Sequence, residues 1–185
     1  MYYSADRGSA DKGRETMRKL TFLLAMGLAV ILSTGVVLAA ADDKTVRTNG
    51  DNKLVPNALI QSTLRFTPGT IRVDSGDAVT WQHDDRTAEP HTVTIVAEGD
   101  LPTTADEVFS CEACGDALAA HFAAPPPAPP VFVVNVGAAG LDAAGDSLLF
   151  FDDQSVSAVV TAASGSTLFY LCAIHPWMQG EINVR

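Results

Sequence analysis

Residues 170–180 read Tyr-Leu-Cys-Ala-Ile-His-Pro-Trp-Met-Gln-Gly. Within this segment Cys172, His175 and Met178 are spaced three residues apart, and strand-like runs lie on both sides of it. A tight turn between two strands would bring a thiolate, an imidazole and a thioether to one point. These are the ligands that soft metal ions prefer, so the segment predicts a metal-binding turn that still lacks one ligand.

The missing ligand is offered by His91, which begins another strand-like run. Two histidines and a cysteine in a trigonal plane, with a weak axial methionine, are typical of electron-transfer copper sites. Taken singly, a buried Cys or Met is usually a packing residue. However, Met178 is the only Met after the N-terminal apolar run, and Cys172 is the only Cys outside the Cys111/Cys114 pair. The presence of these single sulfur residues in one short segment favours a metal site over a packing role for them.

Short runs of β-branched and aromatic residues, separated by turn signals such as Pro68-Gly69, predict an all-β domain. The runs lie at 64–66, 70–73, 78–81, 92–96, 167–171 and 181–184. Closely spaced strands without a long helical period indicate a sandwich or a barrel. Hydrophobic residues make up 47% of the chain and charged residues 18%, which excludes a disordered polar chain.

Several of these stretches resemble the cupredoxins, the blue copper proteins, and among them the plastocyanin, pseudoazurin and amicyanin group. The matching residues are 66–73, 75–81, 90–93 and 172–184. The resemblance implies a Greek-key β-sandwich and makes His91, Cys172, His175 and Met178 the ligands of one type 1 copper ion. The short gap between His175 and Met178 is similar to that of amicyanin and pseudoazurin.

The resemblance also implies a function, that of an exported blue copper protein carrying single electrons between redox partners. The expected donor and acceptor are redox proteins, such as a cytochrome or a membrane oxidoreductase. Leu171 and Ala173 flank Cys172, where multicopper oxidases and copper nitrite reductases have a His for a second copper centre, so we expect no enzyme. The alternative is a copper-binding module for storage, delivery or sensing.

The N-terminal part differs in character from the rest. Arg18 and Lys19 precede an apolar, uncharged run at 20–41, which predicts a cleaved export signal or, less favoured, a membrane anchor. Both place the domain outside the cytoplasm, in the periplasm, in the extracellular space or on the outer face of the membrane. We therefore expect an extension and signal at 1–41, a polar tether at 42–57 and a cupredoxin domain at 58–185.

Charge excludes one class of partner. The formal net charge of the chain is −10, and residues 42–185 hold 19 acidic but only seven basic side chains. Nucleic-acid binding needs clustered Lys and Arg to displace counterions from phosphate. The composition therefore argues against a nucleic-acid-binding protein.

Eighty residues separate His91 from Cys172, and a proline-rich insertion at about 98–153 accounts for most of them. It predicts a short helix at 115–122, a surface connector at 125–130 and a strand at 131–136. Cys111 and Cys114 suit a disulfide, a second metal site completed by His121, or a redox-active pair. A covalent haem is not expected, because Gly115 follows Cys114 where that motif requires His.

Four further features concern the surroundings of the site. We expect His83 to be a solvent-facing loop residue, and the Thr92 hydroxyl to bridge the two ligand loops. We expect an edge of His175 to reach the surface beside Trp177 and to serve as the electron port. An acidic set would either steer a basic partner or form a solvated face. Its members are Asp84, Asp85, Glu89, Asp100, Asp106, Glu107, Asp152 and Asp153.

Overall fold

A computed structural model describes residues 44–185, and most of its regular structure is β-strand. The strands are β1 Thr45–Asn49, β2 Asn52–Val55, β3 Leu59–Ser62, β4 Arg65–Thr67, β5 Thr70–Val73, β6 Ala78–Gln82, β7 His91–Val96, β8 Val133–Val134, β9 Ser147–Phe150, β10 Ser155–Val159, β11 Thr167–Leu171 and β12 Gln179–Val184. The helices are a 3-10 turn at Glu98–Asp100, α1 at Ala105–Phe109 and α2 at Glu112–His121.

Two sheets form the sandwich. One has the strand order β10-β6-β1-β4 and the other β5-β12-β11-β7-β9-β8, while β2 and β3 form a separate hairpin. The pairs β1/β6 and β5/β12 are parallel and join strands far apart in the chain; the other pairs are antiparallel. Strands that follow one another in the chain, such as β4, β5, β6 and β7, lie alternately in the two sheets, so the connections cross from one sheet to the other. This topology confirms the predicted Greek-key β-sandwich.

The core lies between the two sheets and draws residues from both. Val46 and Trp81 come from the smaller sheet, and Ile95 and Tyr170 come from the larger one. The Trp81 and Tyr170 rings meet edge to face, with centroids 5.8 Å apart. Buried residues alternate with less buried ones along β6 and β12, as expected for strands with one face toward the core.

Strand β7 departs from this alternation, because all six of its residues are buried. Val93 and Ile95 face the sandwich core, while Val96 belongs to a second cluster on the opposite face of the sheet. That cluster includes Cys114 and Ala117 of α2. The insertion therefore adds a third layer over the outer face of the larger sheet, and β7 lies in the middle layer.

The helical part of the insertion begins earlier than the sequence predicts. Helix α2 starts at Glu112, three residues before the expected start, and is preceded by the single turn α1. Thr104 and Glu107 form a reciprocal capping box at the start of α1. Cys111 caps α2, because its sulfur accepts a hydrogen bond from the Cys114 N–H at 3.2 Å.

Part of the predicted insertion belongs to the sandwich itself. Strand β9 at Ser147–Phe150 is buried throughout and pairs with β7, so the assignment of 98–153 as an insertion is too long. The predicted strand at 131–136 is reduced to the two residues of β8. The proline tract at 125–130 crosses the surface, as expected.

The predicted tether at 42–57 is wrong, because two strands lie within it. Strand β1 is in the centre of the smaller sheet, where Val46 is fully buried and pairs in register with Trp81. This strand has no apolar run that would predict it, because four of its five residues are polar or charged: Thr45, Arg47, Thr48 and Asn49. The domain therefore begins at least 13 residues before position 58.

The predicted export signal or anchor at 20–41 lies outside the described residues. Across residues 44–185, neither the length nor the hydropathy of any helix is sufficient for a membrane span.

Gly180 provides a test of the packing that supports the site. It lies opposite Tyr170 on β11, and a Cβ atom at this position would overlap the Tyr170 ring. We expect Gly180→Ala to lower the free energy of unfolding by about 1–3 kcal/mol, because overpacking forces the ring or the backbone to move. Urea denaturation measures the change. Gly99→Ala is the matched control, since a Cβ there meets nothing within 4 Å; equal losses for both variants would contradict the packing argument.

Candidate metal centre

The loop between β11 and β12 is a tight turn closed by its own backbone. The Cys172 N–H donates to the Met178 carbonyl at 2.9 Å, and the Met178 N–H donates to the His175 carbonyl at 2.8 Å. The His175 N–H donates to the Cys172 carbonyl at 3.1 Å. These bonds fix the three residues relative to one another before any metal binds.

The structure brings His91 to this turn. Strand β7 starts at His91 and runs antiparallel to β11, and the Thr92 N–H donates to the Cys172 sulfur at 3.3 Å. The Cys172 Sγ atom lies 3.7 Å from His91 Nδ1 and 3.6 Å from His175 Nδ1. Two segments separated by 80 residues therefore converge on one sulfur atom.

These distances fit a shared metal ion. With metal–sulfur and metal–nitrogen bonds of about 2.3 and 2.0 Å, a sulfur and a nitrogen on one ion lie about 3.5–3.7 Å apart in tetrahedral to trigonal geometry. The observed separations of 3.7 and 3.6 Å agree with this estimate. The donor atoms of His91, Cys172 and His175 all lie within 4.8 Å of one another.

Met178 completes the predicted set. Its side chain is fully buried in the same core cluster as Cys172, and its main chain closes the turn. The buried thioether and the buried thiol of this cluster are the soft donors that the sequence predicts. The assignment of all four side chains as ligands stays a prediction.

Burial sets the protonation of the three closest donors. It lowers the pKa of His91 to about 4, against the opposing charge of Asp85, and it lowers the pKa of His175 against Glu89. Both imidazoles are therefore neutral at neutral pH, which is the form that binds metal ions. Burial also raises the pKa of the Cys172 thiol, although hydrogen bonds from Thr92 and neighbouring backbone groups oppose this effect.

Two carboxylates contact the far side of the histidine rings. Asp85 Oδ2 lies 2.8 Å from His91 Nε2, and Glu89 Oε2 lies 2.9 Å from His175 Nε2. Burial by itself would raise the pKa of Asp85, but hydrogen bonds from Thr48 and Thr87 and the charge of His91 lower it to about 2. The assignment of Asp85 to a solvated acidic face is therefore wrong, since its side chain is fully buried against His91. Glu89 is 46% exposed and bonds His175, so its part in an acidic face stays a prediction.

His83 is also not the solvent-facing residue that the sequence predicts. Its ring is buried, and its centroid lies 5.2 Å from that of His91. His83 Nε2 lies 3.1 Å from the Glu89 carbonyl, and Nδ1 lies 3.5 Å from an Asp152 carboxylate oxygen. A carbonyl oxygen can only accept, so Nε2 carries the proton and cannot bind a metal. His83 packs behind the site, where it, Asp85 and His91 have donor atoms within 4.8 Å of one another.

The Thr92 hydroxyl bridges the two ligand loops, as predicted. It accepts a hydrogen bond from the Ala173 N–H at 2.7 Å, directly after Cys172. The hydroxyl also lies 3.0 Å from that of Thr94, which lies 2.8 Å from that of Ser147. Ser147 in turn lies 2.8 Å from His121 Nε2.

The direction of this chain of bonds is fixed at its far end. His121 Nδ1 contacts the Val131 carbonyl, so Nδ1 carries the proton and Nε2 accepts. Ser147 therefore donates to His121, Thr94 donates to Ser147 and Thr92 donates to Thr94. His121 is a structural residue that satisfies a buried polar row between α2 and the metal-binding loop. The sequence offers no signal for this role.

Cys111 and Cys114 form a disulfide, which agrees with one of the three predicted alternatives. The second metal site predicted from Cys111, Cys114 and His121 is not formed, because both sulfurs are bonded to each other and both His121 nitrogens have other partners. Cys114 packs in the outer cluster with Leu171 and Ala173, the neighbours of Cys172. The disulfide therefore closes the first turn of α2, and Cys114 packs that turn against the two neighbours of Cys172.

The surface near the site differs in part from the prediction. Trp177 is 42% exposed and packs edge to face on His175, with ring centroids 5.3 Å apart. His175 itself is only 6% exposed, and Glu89 occupies its Nε2 atom. The group that faces solvent over the site is therefore mainly the indole and not an imidazole edge.

Thr92 gives a direct test of the bridge between the loops. Replacing it with Val keeps the shape of the side chain but removes the acceptor of the buried Ala173 N–H. We expect the free energy of unfolding of Thr92→Val to fall by about 1–3 kcal/mol, the cost of an unsatisfied buried donor. Urea denaturation checks this. Thr161→Val, at an exposed position, is the control, and a loss no larger than the control's would contradict the bridging role.

No protein-family model matches the sequence, and no curated protein matches it. Similar solved structures include the purple cupredoxin from Nitrosopumilus maritimus, with 15% identity, 77% of this chain and 100% of that chain covered, and a TM-score of 0.42. Auracyanin A, a blue copper protein from the bacterium Chloroflexus aurantiacus, has 18% identity, 76% and 98% coverage and a TM-score of 0.41.

A Cu(I) form of an amicyanin variant is also similar, with 21% identity, 66% of this chain and 75% of that chain covered, and a TM-score of 0.37. These similar structures are cupredoxins, the family that the sequence motifs resemble. The fold of the present chain rests on its own strand pairing.

Proposed function

We propose that this protein carries single electrons between redox partners by means of one type 1 copper ion. His91, Cys172, His175 and Met178 would hold the ion. The observation that carries the proposal is the convergence of His91 Nδ1 and His175 Nδ1 on the Cys172 sulfur at 3.7 and 3.6 Å. A copper ion in such a site takes up and releases one electron as it changes between Cu(II) and Cu(I).

The chain's own contribution is rigidity. Three backbone hydrogen bonds close the turn that holds Cys172, His175 and Met178. His91 is fixed by its place at the start of β7 and by the Thr92 contacts with Cys172 and Ala173. A donor set held by packing and hydrogen bonds needs little rearrangement when its charge changes, which favours fast electron transfer.

Water exclusion is the second contribution. Cys172, His91 and Met178 are fully buried, and His175 is nearly so. A dry site protects the thiolate from oxidation by small molecules and strengthens the electrostatic effect of nearby charges. Zinc would fit the same donor set without redox activity, so the metal present has to be identified by its spectrum.

The alternative function, copper storage, delivery or sensing, loses its main support. That reading needs Cys111, Cys114 and His121 as a transfer site, and none of the three has a free donor atom in the structure. Buried ligands also oppose rapid release of the ion to an acceptor. Electron transfer remains the proposal that the described residues favour.

The partners would meet the protein at the face around Trp177. This indole is half-exposed and in contact with His175, so it offers an apolar surface close to the site. We propose redox proteins as donor and acceptor. The signal predicted at 20–41 would direct the protein to the periplasm, to the extracellular space or to the outer face of the cytoplasmic membrane. A cytochrome or a membrane oxidoreductase has suitable chemistry.

Copper loading tests the proposal directly. We expect the exported domain to bind one Cu(II) per chain, with an intense visible thiolate-to-copper band and a matching EPR signal, because Cys172 would be a ligand. Cys172→Ser should remove this band. The matched control is the double variant Cys111→Ser/Cys114→Ser, which makes the same chemical change away from the site and should keep the band. A blue Cys172→Ser protein would overturn the proposal.

Trp177 provides a test of the exchange surface. We expect Trp177→Asp to slow electron self-exchange between oxidised and reduced copies about tenfold, because like charges would face each other at the contact. Line broadening in NMR spectra of mixed samples measures the rate, and the visible band should be unchanged. Phe122→Asp, a similarly exposed aromatic at the end of α2, is the control. Equal rates for the two variants would place the contact elsewhere.

A further inference from the structure

We infer that Asp85 and Glu89 are positioning residues of the metal site, which orient His91 and His175 and favour Cu(II) over Cu(I), thereby lowering the reduction potential. The inference rests on the proposed function. It concerns the far side of both imidazole rings, where one loop between β6 and β7 supplies two carboxylates.

The first argument is the choice of ring nitrogen. An ionised carboxylate can only accept hydrogen bonds, so the Nε2 atoms of His91 and His175 must carry protons. In a neutral imidazole the other nitrogen then has a free lone pair. In both rings that nitrogen is Nδ1, the atom that faces the Cys172 sulfur. The carboxylates therefore select the tautomer that binds a metal.

The second argument is that the carboxylates are themselves held in place. Asp85 Oδ1 accepts from the Thr87 N–H at 2.9 Å and from the Thr87 hydroxyl at 2.7 Å. Glu89 Oε2 accepts from the Asn52 side-chain amide at 2.9 Å. A carboxylate with fixed partners of its own restrains the ring that it contacts, as is usual around metal ligands.

The third argument is charge. A carboxylate stabilises the more positive oxidation state of a nearby ion, and the effect is stronger where water is excluded. The Asp85 side chain is fully buried, whereas that of Glu89 is 46% exposed. Both charges should lower the potential, and Asp85 should have the larger effect.

The test compares the reduction potentials of the copper-loaded Asp85→Asn and Glu89→Gln proteins with that of the wild type. For Asp85→Asn we expect the affinity ratio of Cu(I) to Cu(II) to rise about tenfold, which is a 59 mV increase for a one-electron couple. Glu89→Gln should shift the potential in the same direction by less. Its amide oxygen can still accept from His175 and Asn52, so this variant removes charge alone.

Asp84→Asn is the matched control. Asp84 is adjacent in sequence to Asp85, its side chain is 53% exposed, and it pairs with Arg47 at 3.4 Å instead of a site histidine. If the potential of Asp85→Asn rises no more than that of Asp84→Asn, the role of Asp85 is overturned. If the potential of Glu89→Gln rises no more than that of Asp84→Asn, the role of Glu89 is overturned. The two failures are distinguishable: the proposed function fails if the wild type shows no blue band, whereas this inference fails if the wild type is blue but the potentials of the variants do not exceed that of the control.

A second measurement covers the case in which Asp85→Asn does not fold. In the diamagnetic Cu(I) form of the wild type, NMR should show slowly exchanging Nε2 protons on both His91 and His175. Glu89→Ala should accelerate exchange of the His175 proton at least tenfold over Glu89→Gln, since only Gln keeps the acceptor. A rapidly exchanging His91 proton in the wild type, or equal His175 exchange in the two Glu89 variants, would refute positioning.

Discussion

The sulfur of Cys172 is the point on which the site depends. It receives a hydrogen bond from the Thr92 N–H, and two imidazole nitrogens approach it within 3.7 Å. A buried thiol with neutral imidazoles on two sides can be held there only if two distant segments stay in fixed register. The pairing of β7 with β11, the closed turn before β12 and the Thr92 bridge all maintain that register.

The layers around this point have separate tasks. The sandwich core, with Trp81 and Tyr170 at its centre, fixes the strands that end at the site. The outer layer formed by α2 closes the opposite face of β7, so that the hydroxyls of Thr92 and Thr94 lie in a dry interior. Buried hydroxyls need partners; β9 of the sandwich supplies Ser147, and α2 of the insertion supplies His121.

The sequence predicts the sandwich and the turn that holds Cys172 and His175 because those features are local in pattern, and the start of the strand at His91 indicates the third donor of the observed cluster; Met178 as a fourth ligand stays a prediction. Strands β5 and β11 match their predicted bounds, and the spacing of Cys172, His175 and Met178 encodes one turn. The sequence does not predict β1, whose only buried apolar residue, Val46, lies among polar residues, nor β9, whose residues lack β-branched character. The contacts of Asp85 and Glu89 were also missed, because a carboxylate in an acidic loop looks the same whether it faces water or an imidazole.

The hydrogen-bonded row that runs from the Thr92 hydroxyl to the His121 imidazole has one consequence for the evolution and redesign of this domain. All its donors point one way, from the backbone beside Cys172 toward α2, and each member satisfies the one before it. Removing the helical segment to obtain a compact cupredoxin would leave the Ser147 hydroxyl without an acceptor in the protein's interior. The extra layer and Thr92 are therefore coupled, and we expect shortened homologues to have a different residue after the first histidine.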